Sequence, residues 1–280
     1  MRATLTRTLT LSVLAAAPLW ARSPAPPGPS VPSVPSVPTV TATNPNDGGV
    51  EVTVTPDHAK AVERGLAWLA AHQNPDGSWP GRIGYKLNYD YEYDPDAWDS
   101  GVGHVGVTSL ACIAYLAGGH LPGRGKYGDV VERGLSFVLS CSQGDGYITH
   151  GGTRMYSHAF ATLFLAEIYG TTHRRDVRAK LQKAVDLIVD CQNAEGGWRY
   201  EPFTPQSDMS IVVCQVLALR AARNIGIKVP RSTVDRAIQY VVDSAITEES
   251  RGFSHGRYSR GGRKGSFNYQ KGIPSRSSFA

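Results

Sequence analysis

The chain has 280 residues, with 29 basic and 24 acidic side chains and a formal net charge of +5. The charge is unevenly placed, because residues 1–22 carry three arginines and residues 251–280 carry seven basic residues and no acid. The body between them is therefore acidic. A basic tail on an acidic body is not the charge distribution of a nucleic-acid-binding domain. No apolar run reaches the roughly 18–20 residues of a membrane-spanning helix, so no transmembrane segment is predicted.

Residues 1–21 have the pattern of a signal peptide. Arg2 and Arg7 precede an apolar run over residues 9–20 and small residues suited to cleavage after Ala17 or Ala21. Residues 22–49 repeat Ser-Val-Pro, which favours an extended, polyproline-like linker. The sequence thus predicts a secreted protein, periplasmic or extracellular, with one repeat domain over residues 50–280. An uncleaved N-terminal anchor is the alternative.

Four stretches of this domain share one pattern and begin at Arg64, Arg133, Lys183 and Arg236. Each has a basic residue, a small residue, two variable positions and a bulky apolar pair, and the pattern predicts an amphipathic helix. Residues 81–103 form an insertion in the first interval. The fourth stretch is predicted to reach its turn at residues 252–253.

Between these stretches lie segments 107–117, 159–169 and 211–222, which are apolar nearly all round. A helix without a polar face is expected to be buried on all sides. Each unit thus pairs a half-exposed helix with a buried one. Repetition of such units predicts an all-α fold with two concentric helix layers, an α/α toroid or helical solenoid.

Two of the four stretches continue into a longer motif, Gln-x-x-x-Gly-x-Trp. This motif resembles the QW motif of squalene-hopene and oxidosqualene cyclases, the prenyltransferase/squalene-cyclase repeat family, over about residues 57–270. The resemblance implies an α/α toroid in which the Gln ties an outer helix to the next turn and the Trp packs on it. The implied structural residues are Gln73, Gly77, Trp79, Gln192, Gly196 and Trp198. Three helix pairs and one further outer helix are fewer than the family's full ring, which predicts a toroid incomplete or open at its C-terminal side.

The catalytic motifs of the same superfamily are not intact. The Asp-x-Asp-Asp acid of the cyclases has its nearest match in Asp94-Pro-Asp96-Ala97, which lacks the last Asp. The zinc-binding Asp-x-Cys of protein prenyltransferases falls on Asp208-Met209-Ser210, and a hydroxyl does not replace a thiolate ligand. The thioester of complement-type toroids is absent from the sequence. No metal and no cofactor are therefore expected.

Polar residues at two places remain as weak site candidates. His104, His158 and Asp208 lie at predicted N-termini of the buried helices, where they predict either a general acid–base site or ordinary helix caps. Residues 87–94 of the insertion alternate tyrosines with acids. If extended, the acids suit Ca²⁺ and the tyrosines a sugar ring, and the alternative is an ordinary polar loop. The candidate ligand-binding residues there are Tyr89, Tyr91 and Tyr93.

Four cysteines in an exported chain invite disulfides. Cys141 and Cys191 hold equivalent positions on successive outer helices, whose packing distance of about 8–10 Å exceeds the reach of a disulfide. Free, buried thiols are predicted.

Intact scaffold motifs beside absent catalytic ones favour a non-catalytic module that binds an apolar or extended ligand, or a protein partner. The alternative is an enzyme, terpene cyclase-like, prenyltransferase-like or polysaccharide-acting, that uses acids of residues 90–99. Convergence of the acids in the insertion with His104, His158 and Asp208 in one pocket would favour the enzyme.

Overall fold

The computed structural model describes residues 40–43, 51–81, 102–246 and 266–270. The chain divides into two compact units, residues 1–59 and 60–280. In the first unit, strand β1 (Val40–Thr43) pairs antiparallel with β2 (Glu51–Val54). Both are rich in Val and Thr, which favour strands. β1 lies inside the predicted polyproline-like linker 22–49, and the rest of that linker and the predicted signal peptide lie outside the described residues.

Helices dominate the second unit. The seven helices of the described chain are α1 (Pro56–Ala71), α2 (Val105–Ala117), α3 (Gly128–Ser140), α4 (Met155–Ile168), α5 (Asp176–Asp190), α6 (Met209–Asn224) and α7 (Arg231–Ser244). The three predicted apolar segments correspond to α2, α4 and α6. Each helix begins two to four residues earlier than its predicted segment. Their first turns contain small or polar residues that belong to the helix but not to the apolar run.

The helices of this unit form two layers. α4 lies between α2 and α6 and contacts both, while α3 packs on α2, α5 on α4 and α6, and α7 on α6. Between the layers lie fully buried large side chains, among them Tyr115, Leu135, Phe164 and Leu181. An inner layer of α2, α4 and α6 and an outer layer of amphipathic helices confirm the predicted all-α, α/α toroid class of fold.

One expectation about the inner helices is wrong. α2 and α6 are not buried on all sides, because Leu110, Val213 and Leu217 are 45–47% exposed. These residues lie on the side of the inner layer that faces away from the outer helices. Apolarity all round a helix therefore does not require that protein covers every side of it.

The outer helix α7 also has apolar side chains exposed to solvent. Ile238 and Val242 are more than half exposed, whereas Val185, which holds the position of Ile238 in α5, is fully buried. None of the helices in the described ranges combines the length and the apolar composition required to cross a membrane.

Candidate ligand-binding site

The turns that follow the outer helices are held by repeated hydrogen bonds. Gln73 and Gln192 each donate one amide hydrogen bond to the turn glycine and one to the first turn of the next outer helix. The acceptors are the carbonyls of Gly77 and Val130 for Gln73, and those of Gly196 and Thr233 for Gln192, at 2.8–2.9 Å. One side chain thus joins the turn after one outer helix to the first turn of the next outer helix.

The two tryptophans of these turns are also bonded alike. The Trp79 indole donates to the Leu69 carbonyl at 2.8 Å, and the Trp198 indole donates to the Ile188 carbonyl at 2.7 Å. Both rings are buried. Each accepting carbonyl lies in the last turn of an outer helix, where the regular intrahelical donors run out.

The fourth turn is closed by Ser266, beyond the predicted residues 252–253, which are outside the described residues. The Ile246 amide donates to the Ser266 carbonyl at 2.8 Å, as the Asn193 amide donates to the Gly197 carbonyl at 3.1 Å in the third turn. Tyr269, three residues after Ser266, is therefore the equivalent of Tyr200. The prediction is wrong by more than ten residues because this turn carries a long insertion between residues 246 and 266.

His158, one of the predicted site residues, lies in the core with both ring nitrogens bonded to backbone groups. It lies one turn inside α4, whose N-cap is Arg154, and it is fully buried. Nδ1 accepts from the Ile148 amide at 3.1 Å, so Nε2 carries the proton and donates to the Ala184 carbonyl at 3.1 Å. Burial lowers the pKa of His158 to about 4, which keeps the ring neutral.

His104 and Asp208 are the N-caps of α2 and α6. His104 Nδ1 accepts from the Val107 amide at 3.2 Å, and Asp208 Oδ1 accepts from the Ile211 amide at 3.0 Å. Burial lowers the pKa of His104. Because α4 separates the two caps and His158 faces the outer layer, the three predicted residues do not form one cluster.

The remaining sequence candidates cannot be placed. Asp94, Asp96 and the three tyrosines of the insertion lie outside the described residues. The ends of the insertion meet, since Pro80 and Gly103 form an antiparallel bridge. Within the described ranges, no three His, Cys, Asp or Glu side chains are grouped so that they could hold a metal ion.

A hydroxyl network surrounds Asp208, and we call it the Asp208 network. Ser210 Oγ donates to Asp208 Oδ1 at 2.5 Å, and Tyr156 Oη lies 2.5 Å from Ser210 Oγ. On the other side, Tyr269 Oη donates to Asp208 Oδ2 at 3.2 Å, and the Tyr200 and Tyr269 hydroxyls are hydrogen-bonded. Asp208 itself is fully buried, whereas the four hydroxyl residues are partly exposed. A buried carboxylate thus accepts hydrogen bonds from the Ile211 amide and from the hydroxyls of two partly exposed residues, Ser210 and Tyr269.

Backbone hydrogen bonds hold the two outlying tyrosines in place. The carbonyl of Tyr200 accepts from the Met155 amide at 3.0 Å, and the carbonyl of Tyr269 accepts from the Met209 amide at 2.9 Å. Each tyrosine thus lies against the first residue of an inner helix. Sequence reasoning named Asp208 but missed the tyrosines. An alignment of Gly196-Gly-Trp-Arg-Tyr200 with Gly265-Ser-Phe-Asn-Tyr269 would have paired Tyr200 with Tyr269.

An apolar surface begins at this network, and we call it the inner face. Along α4 the partly exposed residues Phe160 and Leu163 follow Tyr156 at helical spacing, and along α6 Val213 and Leu217 follow Ser210. Val107 and Leu110 continue the surface on α2. The inner face is therefore apolar along its length and polar at the end formed by Tyr156 and Ser210.

A groove lies elsewhere on the molecule. It is an open groove of about 690 Å³ beside the C-terminal end of α3, lined by residues that include Asp76, Phe137, Gln143 and His150. It shares no residue with the Asp208 network or the inner face, and its polar and apolar lining does not indicate one ligand class.

Comparison with known proteins finds similarity to terpene cyclases. No family model matches the chain. Drimenyl diphosphate synthase of Streptomyces showdoensis is 24% identical over 189 residues, which cover 66% of this chain and 31% of that protein. The chain thus spans about a third of the length of this curated relative.

Solved structures that match include a type II terpene cyclase from Scytonema. The complex with geranylgeranyl dihydroxybenzoate superposes with a TM-score of 0.42 at 13% identity, covering 71% of this chain and 54% of that one. An apo form gives 0.43 at 13% identity, covering 71% and 53%, and the complex with merosterolic acid A gives 0.42 at 14%, covering 71% and 55%. The chain spans just over half the length of these structures.

Proposed function

We propose that this chain is a terpene cyclase-like enzyme domain that binds an isoprenoid substrate along its inner face. The observation that carries the proposal is the inner face itself, an exposed apolar surface on three adjacent helices that ends at the Asp208 network. The match to drimenyl diphosphate synthase, which covers 66% of the chain, favours an isoprenoid-handling enzyme rather than a non-catalytic scaffold. Nothing comparable supports a polysaccharide substrate or a protein partner.

The size of the inner face suits a long apolar ligand. Covering one Val or Leu side chain fully contributes about 1.5–3 kcal/mol, and association of two molecules costs roughly 4–15 kcal/mol. A ligand must therefore contact several of these side chains to bind. An isoprenoid chain can lie along Phe160 and Leu163 of α4 while it also contacts Val213 and Leu217 of α6.

The roles of acid and acceptor fall on different residues in this proposal. Cyclisation that starts by protonation of a double bond needs an acid, and Asp94 and Asp96 of the insertion remain the candidates. Asp208 suits the role of hydrogen-bond acceptor rather than acid, since Ser210, Tyr269 and the Ile211 amide all donate to its carboxylate. The rings of Phe160 and Tyr156 lie where a carbocation on the inner face would meet an aromatic surface.

A binding experiment tests the inner face. We expect the protein to bind squalene, a hydrocarbon without polar groups, and Leu217→Asp to weaken that binding at least tenfold, because a charge replaces an apolar contact. Ile238→Asp is the matched control, since Ile238 is 57% exposed against 47% for Leu217 but lies on α7. Equal affinities of the two variants, or no squalene binding by the unmodified protein, would reject the inner face as the site.

A second experiment separates an enzyme from a binding module. Protonation of a double bond followed by proton loss gives an isomer of the substrate, and in D₂O that isomer gains one deuterium. We expect geranylgeraniol to give such an isomer, and Asp94→Asn with Asp96→Asn to abolish it without weakening squalene binding. Binding without any isomer would support the non-catalytic alternative.

Two finer features belong to the same proposal. Gln73 with Trp79, and Gln192 with Trp198, are proposed as QW-type repeats on the strength of their equivalent hydrogen bonds. Export is proposed from residues 1–21, and the mass of the mature protein tests it. A protein that retains Met1 would contradict cleavage of a signal peptide.

A further inference from the structure

We infer that the Asp208 network selects an isoprenoid whose polar end donates a hydrogen bond, an alcohol or a phenol, and discriminates against ends that only accept, such as an ether or a diphosphate. This inference rests on the proposed function, because it concerns the polar end of the same inner face. It follows from the direction of the hydrogen bonds within the network.

The direction begins at Asp208, since a carboxylate has no proton to give and can only accept. Ser210 has one hydroxyl proton, and that proton is committed to Asp208 Oδ1. In the contact between Tyr156 and Ser210, the donor must then be Tyr156. The proton of Tyr156 therefore points into the network, and its oxygen is left to accept.

The other side of the network has the same direction. Tyr269 gives its single proton to Asp208 Oδ2, so Tyr200 must be the donor to Tyr269. Burial raises the pKa of both Tyr156 and Tyr269, so these phenols remain protonated at neutral pH and can donate as described. The outermost oxygens of the network, Oη of Tyr156 and Oη of Tyr200, are therefore free only to accept a hydrogen bond.

The two acceptors lie near each other at the end of the inner face. The rings of Tyr156 and Tyr200 have centroids 6.1 Å apart. Tyr156 is one helical turn from Phe160, so a chain that covers the apolar side chains of α4 brings its end group to the Tyr156 hydroxyl. A ligand hydroxyl can donate to this oxygen, whereas an ether oxygen or a diphosphate would place a second acceptor against it.

The test compares geranylgeraniol with geranylgeranyl methyl ether, which has the same chain and has lost only the donor. With the mature protein we expect the alcohol to bind about fivefold to tenfold more tightly, the effect of one hydrogen bond of ordinary strength. Tyr156→Phe keeps the ring and removes the acceptor, and should abolish that preference. Tyr169→Phe, at the opposite end of α4, is the control and should leave it unchanged.

A second variant tests the direction itself. Ser210→Ala removes the group to which Tyr156 donates, so the Tyr156 proton becomes available to a ligand acceptor. We expect this variant to lose most of the preference for the alcohol and to gain affinity for the ether. A structural role for the network would not predict a gain.

The outcomes separate this inference from the proposed function. If squalene binds but alcohol and ether bind equally to the unmodified protein, the inference is wrong and the inner face stands. The inference is also wrong if Tyr156→Phe weakens both ligands equally. If neither squalene nor the alcohol binds, both the inference and the proposed function are wrong.

Discussion

Gly146 offers a sharp test of how the repeat units are joined. Its φ is +94°, and a Cβ added to it would lie 2.3 Å from the carbonyl oxygen of Lys183 on α5. Gly77 and Gly196 show the same geometry against the outer helices that follow them. A side chain at Gly146 is therefore excluded twice, by the backbone conformation and by the backbone of the next unit.

The cost of Gly146→Ala can be worked from these two causes. A left-handed conformation costs a non-glycine residue about 1–2 kcal/mol, and overpacking costs about 1–3 kcal/mol. The free energy of unfolding should thus fall by about 2–5 kcal/mol, measured by urea denaturation with an unchanged m value. For a chain of this size, 1 kcal/mol lowers Tm by about 2–4 °C.

Two other glycines separate the two causes. Gly170 has a φ of +88° but no atom within 4 Å of an added Cβ, so Gly170→Ala should cost only about 1–2 kcal/mol. Gly144 has neither a positive φ nor a close neighbour, and Gly144→Ala should change stability by no more than about 0.5 kcal/mol. If Gly146→Ala costs no more than Gly170→Ala, the close approach of the turn to α5 does not stabilise the junction.

Three further predictions concern buried groups. The pKa of His158 is about 4 in the folded protein and about 6.5 in the unfolded chain. Its contribution to the free energy of unfolding is therefore fully present above pH 6.5 and falls by about 3 kcal/mol as the pH is lowered to 4. His158→Gln should flatten this pH dependence, measured by urea titrations at several pH values. Trp198→Phe should cost about 1–3 kcal/mol because the Ile188 carbonyl loses its indole donor and keeps the weaker Cys191 thiol at 3.6 Å, whereas Trp68→Phe at an exposed site should cost little. All four cysteines are unpaired, as predicted, so denatured protein without reductant should titrate four thiols, and native protein should react first at Cys214 and last at the fully buried Cys112. A pH-independent stability, equal losses for the two tryptophans or fewer than four thiols would contradict the respective prediction.

The architecture could be predicted because the same sequence patterns recur along the chain. The helical periodicity near Leu66 recurs in three later stretches, and the spacing from Gln192 to Trp198 repeats that from Gln73 to Trp79. Local patterns of this kind define helices and turns without knowledge of distant contacts. Exposure of Leu110 and Leu217 could not be predicted in the same way, because apolarity of a helix does not tell whether protein or a ligand covers it.

The site depends on contacts that are far apart in the sequence. Tyr156 and Ser210 are separated by 54 residues, and Asp208 and Tyr269 by 61. Residues 252–253 mislead the prediction of the fourth turn because they supply a glycine and an aromatic residue soon after α7 in the sequence. The pairing of Ile246 with Ser266, which a local pattern cannot reveal, brings Tyr269 to the network.

The Asp208 network occurs at a single junction, although the backbone around it is repeated within the described chain. Tyr156 and Ser210 hold the second position of α4 and α6, and the same position of α2 is Gly106, which is buried against Ser157. The cap of α2 is His104, whose side chain accepts from the Val107 amide of its own helix. If the hydroxyls served only to start an inner helix, α2 would need them as much as α6 does. Their restriction, within the described chain, to the junction of α4 and α6 at the end of the apolar side chains is what the proposed ligand-binding role requires and what a helix-starting role does not explain.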